Sequence, residues 1–497
     1  MEKASLRIDK DARVASIDER LYGSFIEHLG RAVYTGIYEP EHPTADGQGF
    51  RGDVLALVRE LKVPIVRYPG GNFLSGYDWT DGIGPRDKRP TRLDLAWKTI
   101  EPNEIGIDEF HDWAKKAGAS VLGAVNMGTG TPKDAGNLVE YCNFPGGTRW
   151  SDLRRENGHR DPLGIKTWCV GNEMDGAWQI CHLDAADYGK KARETAKIMK
   201  WVDDSIELVV SGSSSSKLPS FPEWDRIVLE HAYEYVDYIS LHQYYENFGN
   251  DADFLASFHN MDRFIKTVCA TADYVKALKR SDKTMMLSFD EWNVWYQRRQ
   301  EPHDWARAPA LLEDRYSLLD ALVVGGLGIT LLNNADRVRI ACLAQLVNVI
   351  APILTEPNGR VIKQTTFYPF RDLSRFGRGV ALRAEARAAT IETTHGDAPT
   401  VTAAAAFDEE ARELTVFVLN ANLSAEVALE LDLRSFGKIE MTGRSVLAGP
   451  DLGAINTFEQ PNAVVSADVA VEQGAAGMFS PKLAPASWNV FRFSVGK

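Results

Sequence analysis

Several features that would narrow the chemistry quickly are missing from this sequence. Its five cysteines, Cys142, Cys169, Cys181, Cys269 and Cys342, are odd in number and scattered, with no CxxC pair and no zinc-ligand spacing. That excludes a disulfide framework and leaves free thiols in a reducing compartment as the simplest expectation. The ten histidines form no HxH or HExxH pattern, and Gly70-Gly71 and Gly325-Gly326 lack the spacing of a phosphate-binding loop. Neither a metal ion nor another cofactor is therefore expected. No run approaches the roughly 18 apolar residues of a membrane span. The amino terminus, Met1-Glu2-Lys3-Ala4-Ser5, carries no hydrophobic signal segment. A cytoplasmic protein without a membrane partner is the expectation. Positive charge is also scarce: 56 Lys and Arg stand against 69 Asp and Glu, for a net charge of −13. Nucleic acids and other polyanions, which bind through clustered cations, are poor partners for it.

What is present suits a neutral substrate. The 497 residues are 44% apolar and 25% charged, with 12 Trp and 16 Tyr, so the chain is globular and has aromatic rings to spare for sugar platforms. Its length asks for at least two domains, one of which can be a large barrel.

Ser5-Leu6-Arg7-Ile8-Asp9 alternates polar and apolar, as a half-buried antiparallel strand does. From Tyr22 onward short apolar runs alternate with stretches of helical spacing. The predicted strands are Tyr22–Glu27, Ile65–Tyr68, Val121–Val125, Lys166–Val170, Leu208–Ser211, Tyr238–His242, Met285–Asn293 and Ile329–Leu332, with a helix over Pro309–Val324 before the last. This rhythm predicts a (β/α)₈ TIM barrel over residues 19–358. Beyond about Arg360 only strand-like runs separated by turn residues are evident. Residues 359–497, joined by 1–18, are therefore expected to form an all-β, jelly-roll-like sandwich.

Two of the runs end in acid. Lys166-Thr167-Trp168-Cys169-Val170-Gly171-Asn172-Glu173 and Met285-Met286-Leu287-Ser288-Phe289-Asp290-Glu291 each bring a glutamate to the carboxyl end of a barrel strand, where barrel enzymes carry their chemistry. Alone, either is an ordinary cap or solvated carboxylate. Together they are the paired carboxylates with which most glycosidases cleave a sugar bond.

These stretches carry a resemblance. Gly171-Asn172-Glu173-Met174-Asp175-Gly176, Arg67-Tyr68-Pro69-Gly70-Gly71-Asn72-Phe73 and Phe289-Asp290-Glu291-Trp292-Asn293 resemble motifs of the glycoside hydrolase family 51 α-L-arabinofuranosidases. Phe25–Arg31, Leu241–Tyr245 and Ala344–Asn348 do so too, in the same order along nearly the whole chain. The resemblance implies a retaining exo-hydrolase of terminal α-L-arabinofuranosyl residues, with Glu173 as acid/base and Glu291 as nucleophile. It implies that Glu27, Asn72, Asn172, Tyr244 and Gln345 hold the sugar, that Arg67 lies near the nucleophile, and that the protein is a homo-oligomer, often a hexamer. The indoles of Trp97 and Trp178 suit the apolar face of a sugar, and His242 is a further candidate to support the nucleophile. Each residue also has a plainer reading. Asn72 could be a turn residue, Glu27 half of an interior ion pair, His242 a core histidine, and Trp97 and Trp178 core rings. Cys181 departs from the family pattern, where glycine is usual. Two other readings remain open at this point, an endo-β-glucanase or xylanase on the same barrel and an inactive sugar-binding protein.

Overall fold

The computed structural model describes residues 2–299 and 303–496. Eight parallel strands close a barrel: β1 (Gly23–Phe25), β2 (Ile65–Tyr68), β3 (Ser120–Val125), β4 (Thr167–Val170), β5 (Glu207–Val210), β6 (Tyr238–Tyr245), β7 (Met286–Val294) and β8 (Val338–Ala344), with β8 hydrogen-bonded back to β1. The strands read as continuous apolar runs because both faces are covered. Ile65, Leu122, Ala124, Cys169, Val209 and Ile340 fill the interior. Their neighbours Val66, Val121, Trp168, Val170 and Leu208 pack outward under the helices.

The eighth strand lies elsewhere than its prediction. Ile329–Leu332 belongs to a helix, Leu318–Asn333, and Val338–Ala344 is the strand. From Leu318 to Leu332 every residue of that helix is buried. An element covered all round has no polar stripe to betray its period, so a helix and a strand look alike in it. Its start was legible: Ser317 accepts from the Asp320 N–H, and Asp320 reaches back to the Ser317 N–H at 2.7 Å. The stretch beyond Arg360 is also not entirely β, since helix Phe367–Phe376 lies against the barrel helices Gly52–Leu61 and Leu318–Asn333.

The second unit is a ten-stranded sheet. The amino-terminal strand Glu2–Ser16 runs inside it, antiparallel to Val380–Arg387 and parallel to Val427–Asp432. The sheet curls on itself. Phe479, near one end of the hydrogen-bonded order, meets the Phe493 ring near the other at 5.0 Å, and both join Leu6, Ile8, Val416 and Leu429 in one core.

The buried helix is the seam between the units. Gly325 faces the Trp488 indole of strand Ser487–Val495, and Gly326 faces Leu419. Trp488 is fully buried, stacks near Phe417 and donates from Nε1 to Asp372 Oδ2 at 3.1 Å. A Cβ on Gly325 would lie 2.6 Å from the Trp488 ring. Gly325→Ala should therefore destabilise the protein although alanine is the better helix former. About 1 kcal/mol of propensity gain is set against about 1–3 kcal/mol of overpacking. A urea midpoint that rose instead would show that the indole is free to move aside.

Candidate active site

β4 stops at Val170, and Gly171, at φ +95°, turns the chain so that Asn172 and Glu173 stand on the barrel rim. Glu173 itself has φ +45°, a left-handed conformation that costs a side-chain-bearing residue of order 1 kcal/mol or more. β7 reaches the rim through an irregularity. Its register slips against β6 between Ser288 and Glu291, and against β8 between Phe289 and Trp292. In a regular strand Asp290 and Glu291 would face opposite ways. The bulge brings both carboxylates into one buried cluster, at 1% and 5% exposure.

Arg67, in β2, joins these ends. Its Nη1 donates to Glu291 Oε1 at 2.6 Å and its Nη2 to Asn172 Oδ1 at 2.7 Å, while Nε lies 3.7 Å from Asp290 Oδ2. The second Glu291 oxygen accepts from the Tyr244 hydroxyl at 2.8 Å. Burial and the adjacent Glu291 push the Tyr244 pKa well up, which keeps that hydroxyl a donor.

His242, two residues before Tyr244 on β6, stands between the carboxylates. Its Nδ1 is 2.9 Å from Glu173 Oε1 and 3.6 Å from Glu291 Oε2, and its Nε2 is 3.2 Å from Asp290 Oδ1. Burial alone would lower its pKa, but Glu291, Asp290 and Glu173 outweigh that and raise it to about 10. For Asp290 burial pushes upward, yet Arg67, His242 and the Cys169 thiol, 3.1 Å away, hold its pKa below the ordinary value. Glu173 receives one further donor, Trp178 Nε1 at 2.7 Å.

Across the rim, Glu27 follows β1. Its Oε1 accepts from the Phe73 N–H at 2.9 Å and from Trp97 Nε1 at 2.8 Å, and its backbone N–H donates to Gln345 Oε1 at 3.0 Å. Burial lifts the Glu27 pKa to about 8 against these donors, so at neutral pH it is an acid with a proton to offer. A Cβ on Gly71 would come 2.5 Å from Glu27 Oε2, which explains the bare backbone there. Asn72 Oδ1 accepts from Gln179 Nε2, and Ser75 Oγ donates to Gln179 Oε1 at 2.6 Å.

Glu27, Asn72, Trp97, Glu173, Trp178, Tyr244, Glu291 and Gln345 line one cleft of about 580 Å³, within the usual range for a small-molecule site. Asn172, Arg67 and His242 lie buried beside it. Sequence reasoning missed Asp290, Cys169 and Gln179 under the cleft and Phe248, Trp295 and Leu312 in its wall. Asp290 was adjacent to a singled-out residue, but strand alternation argued against it; the wall residues gave no signal. Cys181 has φ +57° and is exposed, a conformation glycine adopts without strain.

The family model described as "Alpha-L-arabinofuranosidase 1 domain" matches residues 57–265, and "Alpha-L-arabinofuranosidase C-terminal domain" matches residues 290–487. The chain is 54% identical to an intracellular exo-α-(1→5)-L-arabinofuranosidase of Halalkalibacterium halodurans, over 98% of each chain. It is 52% identical to one of Bacillus subtilis, over 99% of each. Among solved structures, a family 51 α-L-arabinofuranosidase from Bifidobacterium longum superposes with a TM-score of 0.96 at 44% identity, covering 99% of this chain and all of that one. The chain belongs to the family 51 α-L-arabinofuranosidases. In this α-L-arabinofuranosidase family member, the charged side chains in and under the cleft include Arg67, His242, Asp290 and Glu291, all buried, and the half-buried Glu173.

The raised His242 value has a measurable consequence. Stability gained from the extra proton is complete below the ordinary 6.5 and is lost as pH rises toward about 10. The unfolding free energy of wild type relative to His242→Gln should therefore shrink across that window in urea titrations. A difference that stays level would mean that His242 is neutral in the folded protein.

Proposed function

We propose that the protein is a retaining, exo-acting α-L-arabinofuranosidase in which Glu291 is the nucleophile and Glu173 the acid/base. The observation that carries this reading is the convergence of the pair from β4 and β7 on His242: an oxygen of each and a nitrogen of His242 lie within 4.8 Å of one another, the close approach that a retaining pair needs. Retaining glycosidases hold their carboxyl groups about 5–5.5 Å apart, whereas inverting ones leave about 6.5–9.5 Å for a water. The names of its relatives support the arabinofuranosyl substrate and the exo action.

The electrostatics support the division of labour. Two cations and three carboxylates balance when one carboxylate holds a proton. Asp290 and Glu291 both face Arg67, so the acid/base role is given to Glu173. In the first step Glu291 attacks the anomeric carbon, the glycosidic bond breaks, and the Glu173 proton goes to the departing oxygen. Glu291 becomes a neutral ester as Glu173 becomes an anion, so the set stays balanced, and the His242 proton on Nδ1 can lean to whichever oxygen is charged. Water then attacks the anomeric carbon with its proton returning to Glu173, the bond from that carbon to Glu291 breaks, and Glu291 leaves as carboxylate.

The remaining residues hold the ring. Arg67 takes Asn172 Oδ1, and the amide nitrogen, held only by a long 3.4 Å bond to Asn72 Oδ1, is the donor for the 2-hydroxyl. Glu27, with Gln345 and Asn72, offers donors to the other hydroxyls, and Trp97 and Trp178 supply indole walls. A cytoplasmic site of action is proposed from the relatives named intracellular, and a homo-oligomer from the family resemblance. Among the described residues no helix is long and apolar enough to cross a membrane.

The wild-type protein should hydrolyse an aryl α-L-arabinofuranoside and leave a glucan and a xylan untouched; the reverse pattern would overturn the substrate assignment. Glu173→Ala should slow natural linkages by about 10²–10⁴-fold yet still react with the aryl substrate, whose phenolate departs without a proton. It should then stall as a glycosyl-enzyme that mass spectrometry places on Glu291, and azide should release a sugar azide of retained configuration. Glu291→Ala should be nearly inert on both substrates. Azide rescue of Glu291→Ala with retention, and of Glu173→Ala with inversion, would exchange the two roles.

A further inference from the structure

Helix Ile107–Ala117 carries Asp108, His111 and Asp112, and the chain following helix Arg149–Glu156 brings His159 beside them. One ligand atom each from His111, Asp112 and His159 lie within 4.8 Å of one another. His111 Nδ1 is 3.9 Å from Asp112 Oδ1, and His159 Nε2 is 4.0 Å from Asp108 Oδ1. Asp108 and His111 are three apart on the helix and share a face.

Two of these atoms, His111 Nδ1 and Asp108 Oδ1, are buried without a hydrogen-bond partner, and Asp108 is only 4% exposed. Folded proteins leave few such atoms unanswered, and an ion is one ordinary answer. The other side of each carboxylate is already held. Asp108 Oδ2 accepts from the Tyr141 hydroxyl at 2.6 Å, which is itself fixed by Asn157 Nδ2 at 3.0 Å. Asp112 Oδ2 accepts from Gln48 Nε2 at 2.9 Å. One atom anchored and the other free is how the outer shell of a metal site orients its ligands.

We propose that His111 and His159, with carboxylate oxygens from Asp112 and Asp108, bind a divalent transition-metal cation of the Zn²⁺ class. Two imidazoles and carboxylate suit Zn²⁺, Co²⁺ or Ni²⁺ better than Mg²⁺ or Ca²⁺, which prefer all-oxygen shells. Metal–ligand bonds of about 2.0–2.1 Å set tetrahedral ligands roughly 3.3 Å apart, so the side chains close in by rotamer adjustment. Burial lowers the His111 pKa and keeps that ring in the neutral, ligating form. Lys115 near His111 and Arg89 near Asp108 oppose the cation, although Arg89 is occupied by Glu109 at 2.7 Å. The bound ion would clamp helix Ile107–Ala117, which leads to β3, to the segment that leads to β4. No reacting group is involved, so the role is structural.

The test uses tag-free, chelator-treated full-length protein, titrated calorimetrically with Zn²⁺ and followed with Co²⁺ by visible absorption. One cation should bind per chain outside the cleft, and the thermal midpoint should rise with Zn²⁺. His111→Gln and His159→Gln should each weaken binding roughly tenfold or more and abolish the thermal shift, while metal-free activity on an aryl arabinofuranoside stays at the wild-type level. That retained activity also reports that the variants are folded, and the half-buried Asp112→Asn gives an independent, milder loss of affinity. Glu173, His242 and Glu291 form the other cluster close enough to hold a cation, so Glu291→Gln is the control and should leave binding intact. No binding at millimolar Zn²⁺, binding unaffected in the His111→Gln/His159→Gln double variant, or binding lost in Glu291→Gln would each overturn the proposal.

Discussion

A guanidinium with 1% of its surface exposed holds the middle of this molecule together. Arg67 leaves β2, passes over the Phe25 ring of β1 at 4.7 Å, and ends on Glu291 of β7 and on Asn172 just beyond β4. Burying such a charge is tolerable only while its partners stay in place, because an unpaired one costs several kcal/mol. The relative positions of four strand ends are thereby tied to one side chain. The planar fork is essential to this, since it reaches two acceptors at once with fixed geometry, which a lysine ammonium does not do. The same contact sets a fixed positive charge against Glu291, so what steadies the barrel also bears on the residue proposed as its nucleophile.

Around that cation the rim is graded by environment. Asp290 is driven to its charged form by Arg67 and His242, while Glu27, on the far wall with only neutral donors beside it, retains a proton to about pH 8. Chemically similar carboxyl groups thus differ in state because of what surrounds them. That pattern of contrasted groups in one cleft is characteristic of acid–base catalysis.

Much of this was legible in the residues, for identifiable reasons. Parallel barrel strands are short apolar runs that stop in polar residues, so Glu173 and Glu291 declared themselves by position. The eighth strand did not, because the helix before it is apolar on every side. Asp290 escaped notice because a bulge suspends the alternation from which strand faces are read. Trp97 and Glu27 are 70 residues apart, and nothing local announces their hydrogen bond; the resemblance pointed to Glu27 and the chemistry of an indole to Trp97. Helices Pro132–Asn143 and Arg149–Glu156 went unrecognised, the second being so polar that its periodicity is faint. Phe367–Phe376 was hidden in a stretch that otherwise reads as β.

The place of the amino-terminal strand sets an order of events during synthesis. Glu2–Ser16 is made before the barrel, yet both of its neighbours, Val380–Arg387 and Val427–Asp432, are made only after the whole of it. Until then Leu6 and Ile8, which end fully buried, have no core to enter, and the strand offers two open edges of the kind that recruit other chains. The barrel can close as it emerges, whereas the sheet cannot. During synthesis this segment therefore waits unpaired while the catalytic barrel is made, and the emergence of its two flanking strands, not the folding of that barrel, lets it be buried.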